Sequence, residues 1–283
     1  MSYEVVFKTD NGKTFVFGPK GGNHFYMSFA DGVDVDLGKS QGFAQIGETV
    51  QEQSVGGRTI DVSGQFFGDI ATGKNAMRNV CFPLATGTLT FNGKHYAQVY
   101  VKKAPSFAPY KNNGLFKMQF YAPYPFFLAS SESHTAIGGI TRMYRLPINF
   151  SEPHYFGVKS SDRYTNIYNA GDVRVPLKMD IRSTGVVVNP VITNIQTFQF
   201  LKLNGTLDAG EYVSIYRDRL NVLRAEKHSG QDVEDVISWI DEESSLFELD
   251  TGDNLILAND DGGGVALQVS ITFSPAVAVL YES

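Results

Sequence analysis

Leu267-Gln268-Val269-Ser270-Ile271-Thr272-Phe273 sets four apolar side chains alternately with three polar ones. Successive side chains of a strand point to opposite faces, so this stretch reads as a strand with one buried face and one wet face. The same period of two recurs at Phe116–Phe120 and at Leu177–Ile181. It recurs again at 33–37, where Val33, Val35 and Leu37 alternate with Asp34 and Asp36, which predicts valines in a core and carboxylates facing water. Asn92-Gly93 lies between Leu89-Thr90-Phe91 and the run Tyr96–Val101. That dipeptide supplies the positive φ angles of a type I′ turn and predicts a hairpin. Asn204-Gly205 is a second such candidate. Strands this frequent, with turns between them, predict an all-β chain built from sandwiches or barrels.

Two stretches leave the period of two and predict short helices. In 69–82, Ala76/Val80 and Met77/Cys81 are i,i+4 pairs and Pro83 ends the run. In 232–241, Val233, Val236, Ile237 and Ile240 form a stripe behind Asp232 as N-cap, and this segment carries Trp239.

The 283 residues suffice for one large domain or two ordinary ones. With 42% hydrophobic and 19% charged residues the chain is globular rather than disordered. Pro123 and Pro125, followed by Ser130, Ser131, Ser133, Gly138 and Gly139, separate two strand-rich halves. The expected domains are 1–130 and 131–283. A net charge of −6 argues against a dominant nucleic-acid surface, and the basic pairs Lys102-Lys103 and Arg217/Arg219 read as solvated strand ends. A single cysteine excludes an internal disulfide framework and a Cys-rich zinc site. The stretch from Met1 to Phe7 lacks a basic n-region, and no run approaches the ~18 apolar residues that cross a bilayer, so neither a signal peptide nor membrane insertion is expected.

Chemistry is sparse. Gly38-Lys39-Ser40-Gln41-Gly42 matches the G-x-S-x-G elbow, but that motif requires a helix to follow, and Phe43–Gln53 has no helical stripe. A turn is the expected reading, and a serine hydrolase on Ser40 is the reading it displaces. Histidines 24, 95, 134, 154 and 228 are too far apart in sequence for a local metal motif. Cys81 reads as a small core residue. The acidic runs Asp31–Asp36 and Asn259–Gly264 lack the twelve-residue loop with a terminal Glu that calcium binding uses. No catalytic, cofactor-binding or metal-binding residue is expected.

Several short motifs occur in a telling order. They are Gly57-Arg58-Thr59-Ile60 to Gly64, the helix 69–82 with Pro83, the hairpin 86–101 and Tyr124-Pro125-Phe126-Phe127. Then come Leu146–Phe150, Asn166–Asp172, Asn189-Pro190-Val191-Ile192-Thr193-Asn194, Leu207–Tyr212 and Leu249–Asn254. This order resembles the siphophage distal tail protein (Dit) or siphovirus tail-component family. Tyr124 stands where the family has an acid, and Ala170 where it often has proline or glutamate.

The resemblance implies an N-terminal β-sandwich or barrel that closes into a homo-hexameric ring, and a C-terminal galectin-like β-sandwich. It implies a structural, non-enzymatic hub of a virion or prophage tail tip, assembled in the bacterial host cytoplasm. The hub would join the tail tube to the baseplate and pass DNA through its channel. The implied partners are tail tube, tape-measure, and tip or receptor-binding proteins, with no sequence-specific nucleic-acid binding. Six copies at −6 each would carry −36. Asp34 and Asp36 read first as an ordinary outer surface, and as the sharper alternative they are candidates for a channel wall that repels phosphates. The alternative is a carbohydrate-binding adhesin of a phage baseplate or tail-like particle, using Tyr212, Tyr216 and Trp239.

Overall fold

The computed structural model describes residues 4–18, 25–31, 33, 35–41, 43, 46–108, 114–138, 140–142, 157–159, 164–218, 221–245, 247–262 and 266–280. The fold is all-β. The chain divides into two compact units, one formed by Met1–Ser131 with Ala276–Ser283, the other by Glu132–Pro275. Residues 276–283, assigned by the sequence reading to the second half, therefore group with the first.

The first unit contains β1 (Val5–Thr9), β2 (Thr14–Phe17), β3 (Phe25–Asp31), β4 (Val35–Ser40), β5 (Thr49–Val55) and β6 (Arg58–Phe66). After helix α1 (Ile70–Val80) come β7 (Thr86–Phe91), β8 (His95–Phe107), β9 (Leu115–Ala122) and β10 (Phe127–Ala129). Its main sheet runs β2-β1-β7-β8-β9-β6-β3. Phe17 on β2 lies four strands from Phe120 on β9, about 19 Å away in a flat sheet at ~4.8 Å per strand. Their ring centroids are only 6.2 Å apart. The sheet therefore curls, and it does so around a phenylalanine core. Phe7 meets Phe120 at 4.9 Å and Phe66 meets Phe116 at 5.1 Å, with all five rings at most 2% exposed.

The hairpin at Asn92-Gly93 is present, with φ of 49° and 69° and Lys94 N donating to Phe91 O at 3.0 Å. Helix α1 is present as well. Asp69 caps it by accepting from Thr72 Oγ1 at 2.7 Å and from Thr72 N at 3.1 Å, and these two contacts, the hydroxyl first, lower the Asp69 pKa. Met77 and Val80 face the core, with Cys81 just beyond the helix.

The second unit contains β11 (Ser133–Ile137), β12 (Ile140–Arg142), β13 (Gly157–Lys159), β14 (Tyr164–Asn169), β15 (Lys178–Ser183), β16 (Val187–Val188) and β17 (Val191–Asn194). It continues with β18 (Phe200–Lys202), β19 (Thr206–Leu207), β20 (Tyr212–Arg217), β21 (Leu223–Ser229), β22 (Asp232–Asp235), β23 (Gly252–Asn259) and β24 (Leu267–Phe273). A six-stranded sheet, β11-β24-β15-β20-β21-β22, accompanies a four-stranded one, β14-β23-β17-β18. Leu267, Val269, Ile271 and Phe273 are at most 4% exposed, as their alternation predicts.

Two expectations fail here. The stretch 232–241 is not a helix. Gly230 at φ +62° turns the chain, β22 pairs with β21, and only a single 3-10 turn follows, Ile237–Trp239. Val233 is 59% and Ile237 41% exposed, so the supposed stripe faces no common core. A ladder partner outweighed a weak helical pattern. Nor is Asn204-Gly205 a hairpin tip, since β18 pairs with β17 and β19 with β16. Gly205 is needed because a Cβ there would lie 2.2 Å from Trp239 Cε3.

After the second unit the chain returns to the first as β25 (Ala276–Val277). It pairs Phe127↔Val277 and Leu128↔Ala276 with β10, which in turn pairs with β8. Arg58, 2% exposed, donates from Nη2 to the Ala278 carbonyl and lies 4.4 Å above the Phe127 ring.

Candidate functional site

The residues with chemical potential are held in ways that leave them little to do. Ser40 ends β4, paired with Thr49 in a second strand rather than followed by a helix. Cys81 is fully buried, and burial pushes its thiol up to about 12, which suppresses thiolate chemistry. His24 and His154 lie outside the described residues. His95 has its pKa lowered by burial and then by Lys94. His134 contacts Thr272 Oγ1 at 2.9 Å and Glu132 at 3.7 Å. Among the described residues no three His, Cys, Asp or Glu side chains gather as a metal site, and no helix is long and apolar enough to cross a membrane.

The three aromatic candidates are already engaged. Tyr212 stacks on His228 at 4.4 Å and 8°, while Arg182 lies 4.2 Å from the same ring. These residues come from β15, β20 and β21, so the ring is enclosed between neighbours. Tyr216 donates to Glu226 at 3.2 Å with Lys178 over its face, and burial followed by Glu226 raises its pKa. Trp239 packs against Gly205 and carries Lys227 at 5.5 Å. Each of the three is thus tied to neighbours within its own unit.

The motif residues prove to be staples of loops and junctions. Asn254, fully buried, donates to Asp250 O at 2.8 Å and Gly252 O at 3.1 Å and accepts from Asp250 N at 2.9 Å. Asn169, 1% exposed, donates to Val173 O at 3.0 Å and accepts from Gly171 N at 3.0 Å. Asn189, at φ +49°, exchanges hydrogen bonds with Gly205 and donates to Asp261. Glu211 accepts from Asp208 N and pairs with Lys227 at 2.9 Å. That Lys227 contact, then the Asp208 amide, lowers its pKa. Buried polar groups must be paired, which is why asparagines and a carboxylate occupy these bends. The segment 146–150 lies outside the described residues.

The ribbon β4–β5 is left uncovered. Among the described residues its strands pair with each other and with no other sheet. Its register is Val35↔Val55, Asp36↔Ser54, Leu37↔Gln53, Gly38↔Glu52 and then Lys39↔Val50. One extra residue, Gln51, therefore interrupts the ladder as a bulge. Without it Val50 would fall on the same face as Asp36 and Glu52. With it, Val35, Leu37, Val50 and Val55 share one face with Gln53 and Lys39, and Asp36, Glu52 and Ser54 share the other.

The four apolar residues are 50%, 43%, 51% and 45% exposed, and Phe43 and Ile46 between the strands are fully exposed. The expectation that Val35 and Leu37 sit in a core is overturned, because a two-stranded ribbon has no core of its own. Asp36 is exposed on the polar face, and Asp34 lies outside the described residues. The alternation was legible in the sequence, but the bulge that keeps Val50 in phase was not.

Neither the known family models nor the curated protein sequences give a match to this chain. Solved structures do. The chain is similar to SPP1 Dit (gp 19.1), described as a paradigm of the hub adsorption apparatus in phages infecting Gram-positive bacteria. The TM-score is 0.60 at 12% identity, covering 97% of this chain and 98% of that one. It is also similar to a chain of the phage P2 baseplate in its activated conformation with Ca, with TM-score 0.51 and 14% identity over 99% of both chains. The all-β, two-unit fold of this chain is thus shared from end to end with phage hub and baseplate proteins.

Proposed function

We propose that this protein is a structural component of a phage tail tip, a hub of the distal-tail type that joins the tail tube to the baseplate. The observation that carries the reading is the full-length fold likeness to SPP1 Dit. The uncovered ribbon supports it, since a two-stranded hairpin is marginal by itself and gains stability by laying its apolar face on another surface. In this reading the surface belongs to the next copy in a homo-hexameric ring, with the first unit as ring former and the second as a galectin-like outer domain. Tail tube, tape-measure and tip proteins contact the ring, and DNA passes through it. Asp36, on the polar face of the ribbon, and Asp34 line the channel in this reading and repel phosphates. The role is non-enzymatic and its location is the virion tail.

Electron microscopy of tails, with this chain tagged, tests the reading. Six-fold density at the distal end of the tube is expected, and two- or three-fold closure would overturn the ring. Asp34→Lys/Asp36→Lys tests the channel. Ejection at the wild-type rate and salt dependence would remove both residues from its wall.

A further inference from the structure

The first unit is interrupted in the chain, and the piece that closes it arrives late. The segment 276–280 adds β25 to β10, buries Ala276 completely and packs Val277 and Leu280 against the phenylalanine core. It also brings the Ala278 carbonyl to the buried Arg58, 220 positions earlier in the chain. Arg58 begins β6, and its guanidinium covers Phe127 of β10. One buried cation thus clamps the strand leading out to the second unit and the segment returning from it.

We infer that segment 276–280 is a latch that completes the first unit only after the whole second unit has been synthesised, and that the second unit is an insert the first does not need for folding. A buried guanidinium that loses a carbonyl acceptor pays heavily. The core beneath β10 loses its apolar cover at the same time. The exit and return lie on paired positions, Leu128↔Ala276, and antiparallel partners are about 5 Å apart at Cα. A tight turn therefore spans the gap that residues 132–275 occupy. Because the ribbon belongs to the first unit, chains broken off inside the second unit would carry it on an unlatched body. That last consequence rests on the assembly reading; the latch itself does not.

The chain supplies one reporter for each unit. Cys81 is its single cysteine and is buried in the first unit; Trp239 is its single tryptophan and lies in the second. Three proteins are compared with the full-length chain: one ending at Pro275, one in which a four-residue Gly/Ser linker replaces 132–275, and full-length Val277→Asp. The measurements are Cys81 alkylation rate and, where present, Trp239 fluorescence through thermal melting.

The latch requires Cys81 to react at least tenfold faster in the Pro275-terminated chain and in Val277→Asp, with the Trp239 melt unchanged. It requires Cys81 to stay protected in the linker chain. Full protection of Cys81 in both latch-defective proteins overturns the latch. Exposed Cys81 in the linker chain overturns the insert. If the shortened chain does not fold, Val277→Asp and the linker chain decide between the same outcomes. Tail incorporation of the linker chain is scored separately, so failure of the ring reading leaves the labelling result standing.

Discussion

Replacing Leu37 and Val50 by serine should weaken assembly without weakening the fold. The two residues lie on the ribbon face that carries its four apolar residues, beside Gln53 and Lys39, and are 43% and 51% exposed. Full burial of such a side chain contributes about 1.5–3 kcal/mol, so covering the open half contributes roughly 0.7–1.5 kcal/mol each. The double variant should lose about 1.5–3 kcal/mol per contact between copies, which is roughly 10- to 150-fold in association. Exposed positions of this kind change monomer stability by only about 0.5 kcal/mol in either direction.

The assay is competition. Wild-type and variant chains are co-expressed with the other tail components, and mass spectrometry of purified tails gives their ratio, beside thermal melts of each free protein. A ratio strongly favouring wild type with matched melts is expected. Equal incorporation, or a melt that falls while incorporation holds, would refute the assignment of this face to a neighbouring copy.

Gly205→Ala should lower the stability of the second unit by about 1–3 kcal/mol through overpacking, because its Cβ would lie 2.2 Å from Trp239 Cε3; the Trp239 fluorescence melt reads this directly. Lys227, and after it the Asp208 amide, lowers the Glu211 pKa below its ordinary 4.5. Its stabilising contribution is therefore full above pH ~4.5 and is lost as pH falls through the depressed value. Melts of the Glu211→Gln variant against pH should lack that acid-side fall, and an unchanged profile would count against the pair. Ser40→Ala should leave particle infectivity unchanged, and any hydrolase activity abolished by it would contradict the structural role. Native Cys81, with its thiol pushed up to about 12 by burial, should resist alkylation at pH 8 until the first unit opens; rapid labelling of the native chain would contradict that burial.

The strands with one buried face were legible because their alternation answers directly to a core, as at Phe116–Phe120 and Leu267–Phe273. The Asn92-Gly93 turn was legible because two positive φ angles demand that dipeptide. Alternation alone does not say whether a core exists, and Val35 and Leu37 carry the same pattern into solvent. The stripe in 232–241 misled because four β-branched residues at helical spacing weigh less than the open edge of β21 beside them. Residues 276–280 gave no local signal of returning to β10, since nothing within the segment encodes a partner 150 positions away. The asparagine and glycine motifs were visible, but their work as staples of bends appears only with the hydrogen bonds in place.

The strand β22 ends the six-stranded sheet with every residue exposed, and three of its four positions are Asp232, Glu234 and Asp235. An unpaired sheet edge is a template for another edge, and the hazard grows where identical copies crowd together. Were two such strands to add antiparallel about their centres, Asp232 of each would face Asp235 of the other, with Glu234 nearby, and the approaching backbones would meet a row of carboxylates. The sheet is finite by electrostatics. The row of carboxylates on β22 is a device in the second unit against repeating along a fibre.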